Sequence, residues 1–239
     1  AFFAPRWHGF MLWLIYMIGI ALSIVCARLL RKTLLKGDTT PFVMELPPYR
    51  LPTVRGVLIH MWLRGGLYLK NAGTVILVIS IILWAMTAYP KIPQEQLAGL
   101  TEQQAMDAEL RYAIAGRIGA AMEPVIRPMG FDDKIGTALI GALAAKEVFV
   151  AQMGIVYAVG EADEESESLR DKLRDNYTQL QGFCIMLFCL ISAPCVATLA
   201  VCRRETNSWK WAVFQFGGLT ALAYFLTVIV YQLGRLIMA

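Results

Sequence analysis

Long apolar windows separated by short polar segments dominate the pattern of this chain. Four windows contain no Asp, Glu, Lys or Arg: residues 9–27, 71–90, 176–202 and 211–234. A helix needs about 20 apolar residues to cross a hydrocarbon core, and none of these windows alternates with the period of a strand. Because the backbone must satisfy its own hydrogen bonds in lipid, the windows predict membrane-spanning helices.

A fifth window, residues 135–160, resembles the others except for Lys146 and Glu147 at its middle. On a continuous helix at about 100° per residue, one face carries Glu147 with residues that are nearly all small: Gly136, Ile140, Ala144, Ala151, Gly154 and Ala158. Small residues are typical of close helix packing in membranes. An ionisable group at that depth costs at least about 2.5–3.5 kcal/mol, so Glu147 predicts an ion site or pathway. The alternative is a structural ion pair with Lys146 or another base.

The charges of the connecting segments predict an orientation. Residues 28–70 hold eight basic and two acidic residues, whereas 161–177 hold seven acidic and three basic ones. Short basic segments stay in the cytoplasm, which places 28–70 inside and 161–177 outside. Residues 113–160 must then cross an even number of times. Either 113–131 spans as a weak helix, or part of 113–160 enters and returns.

Residues 113–130 would make a poor lipid-facing span, because they carry Arg117, Glu123 and Pro124. This favours a broken or re-entrant element, which membranes tolerate only where it is buried in protein or lines a cavity. Transporters place their substrate sites at such discontinuous helices.

The predicted fold is an all-α polytopic transmembrane bundle with about five spanning helices and one broken or re-entrant element. The predicted order is a span at 9–27, a cytoplasmic crossing at 28–70 with a surface helix over 53–70, a span at 71–90, an external loop at 91–112, the broken element at 113–160, a polar loop with a short helix at 161–177, and spans at 178–202 and 211–237. The composition agrees, because 17% charged residues is well below the roughly 25% of soluble domains. The chain begins without Met, so we expect a fragment or a processed product.

Four of the five cysteines, Cys184, Cys189, Cys195 and Cys202, lie within 19 residues. On an unbroken helix Cys184, Cys195 and Cys202 would lie within about 20° of one another, but Pro194 predicts a kink or break. A row of thiols could pass a soft or borderline cation between sites. The alternative is that each cysteine is a small hydrophobe in an apolar helix.

Motifs for other functions are missing from the sequence. It has no phosphate-binding loop, no HExxH and no GxSxG, and no nucleophile–base pair is evident, so an enzyme is not predicted. The basic residues cluster beside the apolar windows, where anionic lipid rather than nucleic acid is the expected partner.

Three stretches resemble the bacterial ferrous iron transporter family, FeoB. They are LLKGDTTPFVMELPPYRLPTVRGVLIHMW from residue 34, GALAAKEVFVAQMGIVYAVGE, which resembles the second Gate motif, and APCVATLAVCRRETNSWKWAVFQF. The resemblance implies the C-terminal half of a multi-pass inner-membrane iron(II) transporter. It also implies that Glu147 and Cys195 occupy Gate positions that handle iron, with Cys184, Cys189 and Cys202 as lesser candidates. Many relatives have a Thr shortly after KEV, and this chain does not.

The resemblance further implies parts that this sequence lacks. These are the N-terminal half of the transporter, with a domain that binds GTP and Mg²⁺ and gates transport, and small cytoplasmic Feo partner proteins. A homo-oligomer is a further expectation. Two rival functions remain: a Gate-type carrier of nucleosides or organic solutes, and a non-transporting membrane scaffold or sensor.

Overall fold

The computed structural model describes residues 3, 5–34, 52–93, 102–142, 146, 148–157, 167–192 and 195–238. Within these ranges all regular structure is helical and no strand occurs, as predicted. The helices are α1 (His8–Thr33), α2 (Val54–Ala88), α3 (Glu102–Tyr112), α4 (Ile114–Ile126), α5 (Asp133–Ala142), α6 (Val148–Val156), α7 (Glu167–Asn176), α8 (Gln179–Ile191), α9 (Val196–Thr206) and α10 (Trp209–Met238). Single 3₁₀ turns cover Pro5–Trp7 and Arg127–Met129.

The chain divides into two compact units, Phe10–Thr74 on the one hand and Ala1–Gly9 with Val75–Ala239 on the other. Among the described residues, α1 and α10 are the helices long and apolar enough to cross a membrane. In the smaller unit, α1 exposes large apolar side chains such as Leu12 and Tyr16, each 67% accessible. An apolar helix with an exposed apolar surface is typical of a membrane span.

The second helix differs from the prediction. A surface helix over 53–70 and a separate span at 71–90 were expected, but α2 is one helix of 35 residues from Val54 to Ala88. No proline interrupts it, and charged side chains in its first half do not end a helix. At 1.5 Å per residue α2 is about 52 Å long, well beyond the roughly 30 Å of a hydrocarbon core.

The window 135–160 also differs, because it does not form a single helix. Helix α5 ends at Ala142 and α6 begins at Val148, and the two pack against each other. A Cβ atom added at Gly141 would lie 2.3 Å from Cγ of Gln152, so a larger residue there would displace the Gln152 side chain. The continuous face predicted around Glu147 is therefore wrong for this chain, and Glu147 itself lies outside the described residues.

Helices α8 and α10 form the centre of the larger unit. Cys184 and Leu187 of α8 are almost fully buried, and α10 approaches α8 so closely that a Cβ at Gly234 would lie 2.6 Å from Cδ1 of Leu180. The core extends to α4 and α5, where a Cβ at Gly119 would lie 2.2 Å from Oγ1 of Thr137. Small residues thus bring the helix backbones together.

Helix α10 is apolar on its outer face as well. Ala223 and Thr227 are fully buried, whereas Phe225, Ile229 and Leu236 are 63%, 53% and 77% exposed. A soluble helix would carry polar residues on that outer face. The larger unit therefore presents α10 as a helix suited to contact lipid.

Candidate functional site

The apolar segment 178–202 is interrupted where the sequence predicts a kink or break. Helix α8 ends at Ile191 and α9 begins at Val196. Cys195 is the residue before α9 and has an extended backbone, with φ −60° and ψ 154°. Pro194 lies outside the described residues. Because of this break, Cys184 lies on a different helix from Cys202, and the alignment expected on an unbroken helix does not apply.

The thiols differ in their surroundings. Cys184 is buried, whereas Cys189, Cys195 and Cys202 are partly exposed, and all five cysteines are free. The Cys195 sulfur lies 3.1 Å from Oγ1 of Thr198, one turn into α9. Within the described ranges, no three His, Cys, Asp or Glu side chains come together as a metal site. Of the predicted site residues described here, Cys195 is the one that lies at the break.

Lys146, in the connection between α5 and α6, reaches the carboxyl-terminal end of α8. Its Nζ atom donates hydrogen bonds to the backbone oxygens of Cys189 at 2.8 Å, Leu190 at 3.3 Å and Ser192 at 3.0 Å. We call these three oxygens the carbonyl cage. The last carbonyls of a helix lack partners within it and form the negative end of its dipole. The ammonium of Lys146 therefore supplies both the donors and the opposite charge that this end requires.

The amino-terminal end of α8 is held by a chain of hydroxyl groups. The Tyr157 hydroxyl donates to the Tyr177 hydroxyl at 2.8 Å, which donates to both carboxylate oxygens of Asp132 at 2.9 and 2.8 Å. Asp132 also accepts from the backbone N–H of Ile135 at 2.8 Å, at the start of α5. Burial, and then the hydrogen bond with Tyr157 and the charge of Asp132, raise the pKa of Tyr177. Its hydroxyl is therefore a neutral donor.

Further side chains join this end to the turn at residues 127–130. The Thr178 side chain accepts from the backbone N–H of Gln181 at 3.3 Å and the Gln181 side chain accepts from the Thr178 N–H at 2.9 Å, which is a capping box. Gln181 also donates to the Gly130 oxygen at 2.8 Å. Gly130 has φ +79°, and a Cβ there would lie 2.3 Å from Cε2 of Tyr231, so the turn requires glycine.

Sequence reasoning missed the contacts at both ends of α8. The capping box was detectable, because Thr178 and Gln181 stand three residues apart before an apolar run. Lys146 was considered only as a partner for Glu147. Its contact with the carbonyl cage joins residues 43 to 46 positions apart, and no local pattern in the sequence signals such a contact.

Two family models match the chain. A model of the ferrous iron transport protein B C terminus matches residues 12–64, and the Gate model, described as nucleoside recognition, matches residues 69–209. The chain belongs to the FeoB family. The Gate match covers α4 to α8, the break and Cys195. No solved structure matches the chain.

Curated relatives align with nearly the whole chain. An Fe(2+) transport protein A/Fe(2+) transporter FeoB fusion protein of Porphyromonas gingivalis is 35% identical over 98% of this chain and 32% of its own length. The Fe(2+) transporter FeoB of Leptospira biflexa is 36% identical over 96% of this chain and 34% of its own length. The Fe(2+) transporter FeoB of Helicobacter pylori is 32% identical over 97% of this chain and 40% of its own length. The chain thus spans about a third of the length of the first of these relatives.

Proposed function

We propose that this chain forms part of the membrane pathway of a bacterial transporter that moves iron(II), its substrate, across the inner membrane. Membership of the FeoB family and the names of the curated relatives support the proposal. The observation that carries it is the break between α8 and α9, where Cys195 interrupts an apolar helix. Discontinuous helices of this kind are where transporters bind their substrates.

The chemistry of the pathway would come from Glu147 and Cys195. A carboxylate supplies negative charge and a hard oxygen ligand, and a thiolate adds preference for Fe²⁺ over Mg²⁺ and Ca²⁺. The thiols of Cys184, Cys189 and Cys202 are lesser candidates, because these residues lie within helices whereas Cys195 lies between two.

The membrane arrangement is also part of the proposal. About five spanning helices would cross the inner membrane, with α1 and α10 as the best supported. Helices α4 to α6, none longer than 13 residues, would form the broken or re-entrant element. The basic segment 28–70 would face the cytoplasm.

The remaining parts of the transporter would complete this unit. We propose that an N-terminal half supplies a domain that binds GTP and Mg²⁺ and gates the pathway, and that this chain has no catalytic activity of its own. A small cytoplasmic Feo protein is the proposed partner, supported by the relative that is a fusion with Fe(2+) transport protein A. A homo-oligomer of the complete transporter is also part of the proposal.

Uptake of Fe²⁺ by liposomes that contain the full-length protein, with GTP supplied on the cytoplasmic side, tests the proposed function. We expect Glu147→Gln and Cys195→Ser each to lower the initial rate by at least about tenfold, since each removes a proposed ligand. Cys26→Ser is the matched control, because Cys26 is a free thiol in α1 and is not a proposed iron ligand. Normal uptake by both Glu147→Gln and Cys195→Ser would show that the metal pathway lies elsewhere.

A Gate-type carrier of nucleosides or organic solutes is the second candidate, favoured by the description of the Gate model as nucleoside recognition. It predicts uptake of radioactive nucleosides by the same liposomes and no dependence on Cys195. A scaffold or sensor subunit predicts uptake of neither substrate.

A further inference from the structure

The carbonyl cage has the ligand geometry of a cation site. Three backbone oxygens from the last turn of α8 and from Ser192 lie within 2.8 to 3.3 Å of one positively charged group, Nζ of Lys146. Helix carboxyl ends and unwound backbone carbonyls coordinate alkali cations in transporters, and rings of carbonyls replace the water around K⁺ in channels. An ammonium group and K⁺ are of similar size and charge, so one can replace the other in such a cage.

The cage lies beside buried apolar side chains at the end of α8. Ile191, the last residue of α8, is 7% exposed, and Phe188 is 9% exposed. Ser192, with φ −55° and ψ 173°, turns the chain into an extended conformation directly after α8. Its N–H donates to the Phe188 oxygen at 2.8 Å, which is not one of the cage oxygens. Removal of the ammonium takes three donated hydrogen bonds away from the cage oxygens, which can then coordinate a cation that enters the break.

We propose that Lys146 is a specificity-determining residue whose ammonium fills the carbonyl cage at the α8–α9 break and so denies that cage to hard cations. The inference rests on the proposed function in so far as the break belongs to an iron(II) pathway. Backbone carbonyls are hard ligands that bind K⁺, Na⁺ and Ca²⁺ and give no preference for iron. With the cage filled, the thiol of Cys195 and the carboxylate of Glu147 are left to select the ion, and a thiolate favours Fe²⁺.

The first test measures ion binding and does not need transport. Lys146→Met keeps an unbranched side chain and removes the charge, which empties the cage. We expect the purified full-length variant to gain about 2–4 °C in melting temperature when K⁺ replaces N-methylglucamine at equal ionic strength. The wild type and Lys146→Arg should show no such gain, because a side-chain cation fills the cage.

Lys172→Met is the matched control. Lys172 donates to a single backbone oxygen, that of Tyr157, at 2.9 Å, and so lacks a cage. Its melting temperature should not respond specifically to K⁺. An equal response in Lys146→Met and Lys172→Met, or no response in either, would overturn the inference.

If Lys146→Met folds poorly, the yield of folded protein in different buffers replaces the melting temperature as the measurement. The inference expects the variant to be recovered folded from buffers with K⁺ and in lower yield from N-methylglucamine. Failure in both buffers would show that the ammonium acts only as a structural cap, and the inference would be wrong.

The second test measures selectivity. In liposomes with equal K⁺ on both sides, K⁺ should inhibit Fe²⁺ uptake by Lys146→Met at a concentration about tenfold lower than for the wild type. Uptake by Lys146→Met that resists K⁺ as well as the wild type would refute the selectivity role. The two proposals can fail separately: normal uptake by the Glu147 and Cys195 variants removes the iron pathway, whereas the effect of K⁺ on melting reports only on the cage.

Discussion

The two ends of α8 are held in opposite ways. The amino-terminal end uses several hydrogen bonds: those of the capping box of Thr178 and Gln181, that of Gln181 to Gly130, and the hydroxyl chain from Tyr157 through Tyr177 to Asp132. The carboxyl-terminal end has one ammonium, that of Lys146, on three carbonyls. An end with many partners loses little when one is removed, whereas an end that relies on one charge loses most of its bonds at once. The amino-terminal end of α8 is therefore a structural anchor, whereas the carboxyl-terminal end borders the break that we propose to be functional.

The largest effect is expected at the carboxyl-terminal end. Lys146→Met in buffer without alkali cations should lower the free energy of unfolding by about 2–3 kcal/mol, because it leaves carbonyls without donors and removes a charge from the negative end of the helix. Thermal unfolding of the purified full-length protein, followed by tryptophan fluorescence, measures the loss. Lys172→Met, with one carbonyl partner, should lose about 1 kcal/mol or less. Equal losses would remove the contrast between a three-carbonyl cage and an ordinary contact.

Gly130→Ala should have the next largest effect. It puts a side chain at φ +79°, and the added Cβ would lie 2.3 Å from the Tyr231 ring. The left-handed conformation alone costs about 1–2 kcal/mol, and displacement of the ring adds to that, so we expect about 2 kcal/mol in thermal unfolding. Gly217→Ala is the control, since nothing lies within 4 Å of a Cβ added there. A Gly130→Ala protein as stable as the wild type would show that the turn at 127–130 can rearrange without weakening the contacts at the amino-terminal end of α8.

Tyr177→Phe should lower the free energy of unfolding by about 1.5 kcal/mol, since it removes the donor to a carboxylate. The substitution also changes how the stability of the fold depends on alkaline pH. The pKa of Tyr177 is raised in the folded protein above its ordinary 10.0, so the folded state keeps a proton that the unfolded state releases. The stability of the wild type therefore falls as pH rises above 10.

The measurement compares wild type and Tyr177→Phe at pH 7 and at pH values above 10. The difference in melting temperature should shrink as the pH rises, because the variant lacks the titrating hydroxyl. A difference that stays constant with pH would contradict the assignment of a raised pKa to Tyr177.

Thr178→Ala should have the smallest effect, about 1 kcal/mol, as expected for the loss of an amino-terminal cap. The other partners at this end of α8 remain in place. Ser23→Ala is a suitable control, because Ser23 lies within α1 and bonds only its own helix, at the Ile20 oxygen. If Thr178→Ala cost as much as Lys146→Met, the two ends of α8 would not differ in the way described.

Local patterns predicted much of the helical architecture. The windows 9–27 and 211–234 became α1 and α10, and the break near Pro194 is present between α8 and α9. These features depend on apolar length and on the missing N–H of proline, both of which are visible in the sequence.

The rest depended on contacts between distant residues. The sequence predicted a broken or re-entrant element within 113–160 but not the place of the interruption, because residues 135–160 contain no proline; the structure gives it as the end of α5 at Ala142 and the start of α6 at Val148. Likewise, no pattern around Lys146 indicates that it reaches α8. The predicted roles of Glu147 and Cys195 in iron binding stay predictions.

The filled carbonyl cage has an electrostatic consequence for the break as a whole. A broken helix presents two facing half-charges, negative where one helix ends and positive where the next begins. At this break the negative half-charge is already neutralised by Lys146, whereas the positive one, at the start of α9, faces the backbone of Cys195. The two helix ends together therefore do not attract a cation. A passing cation would be attracted there by acidic side-chain ligands rather than by the backbone, so the ligand side chains, and not the helix ends, would decide which ion stops.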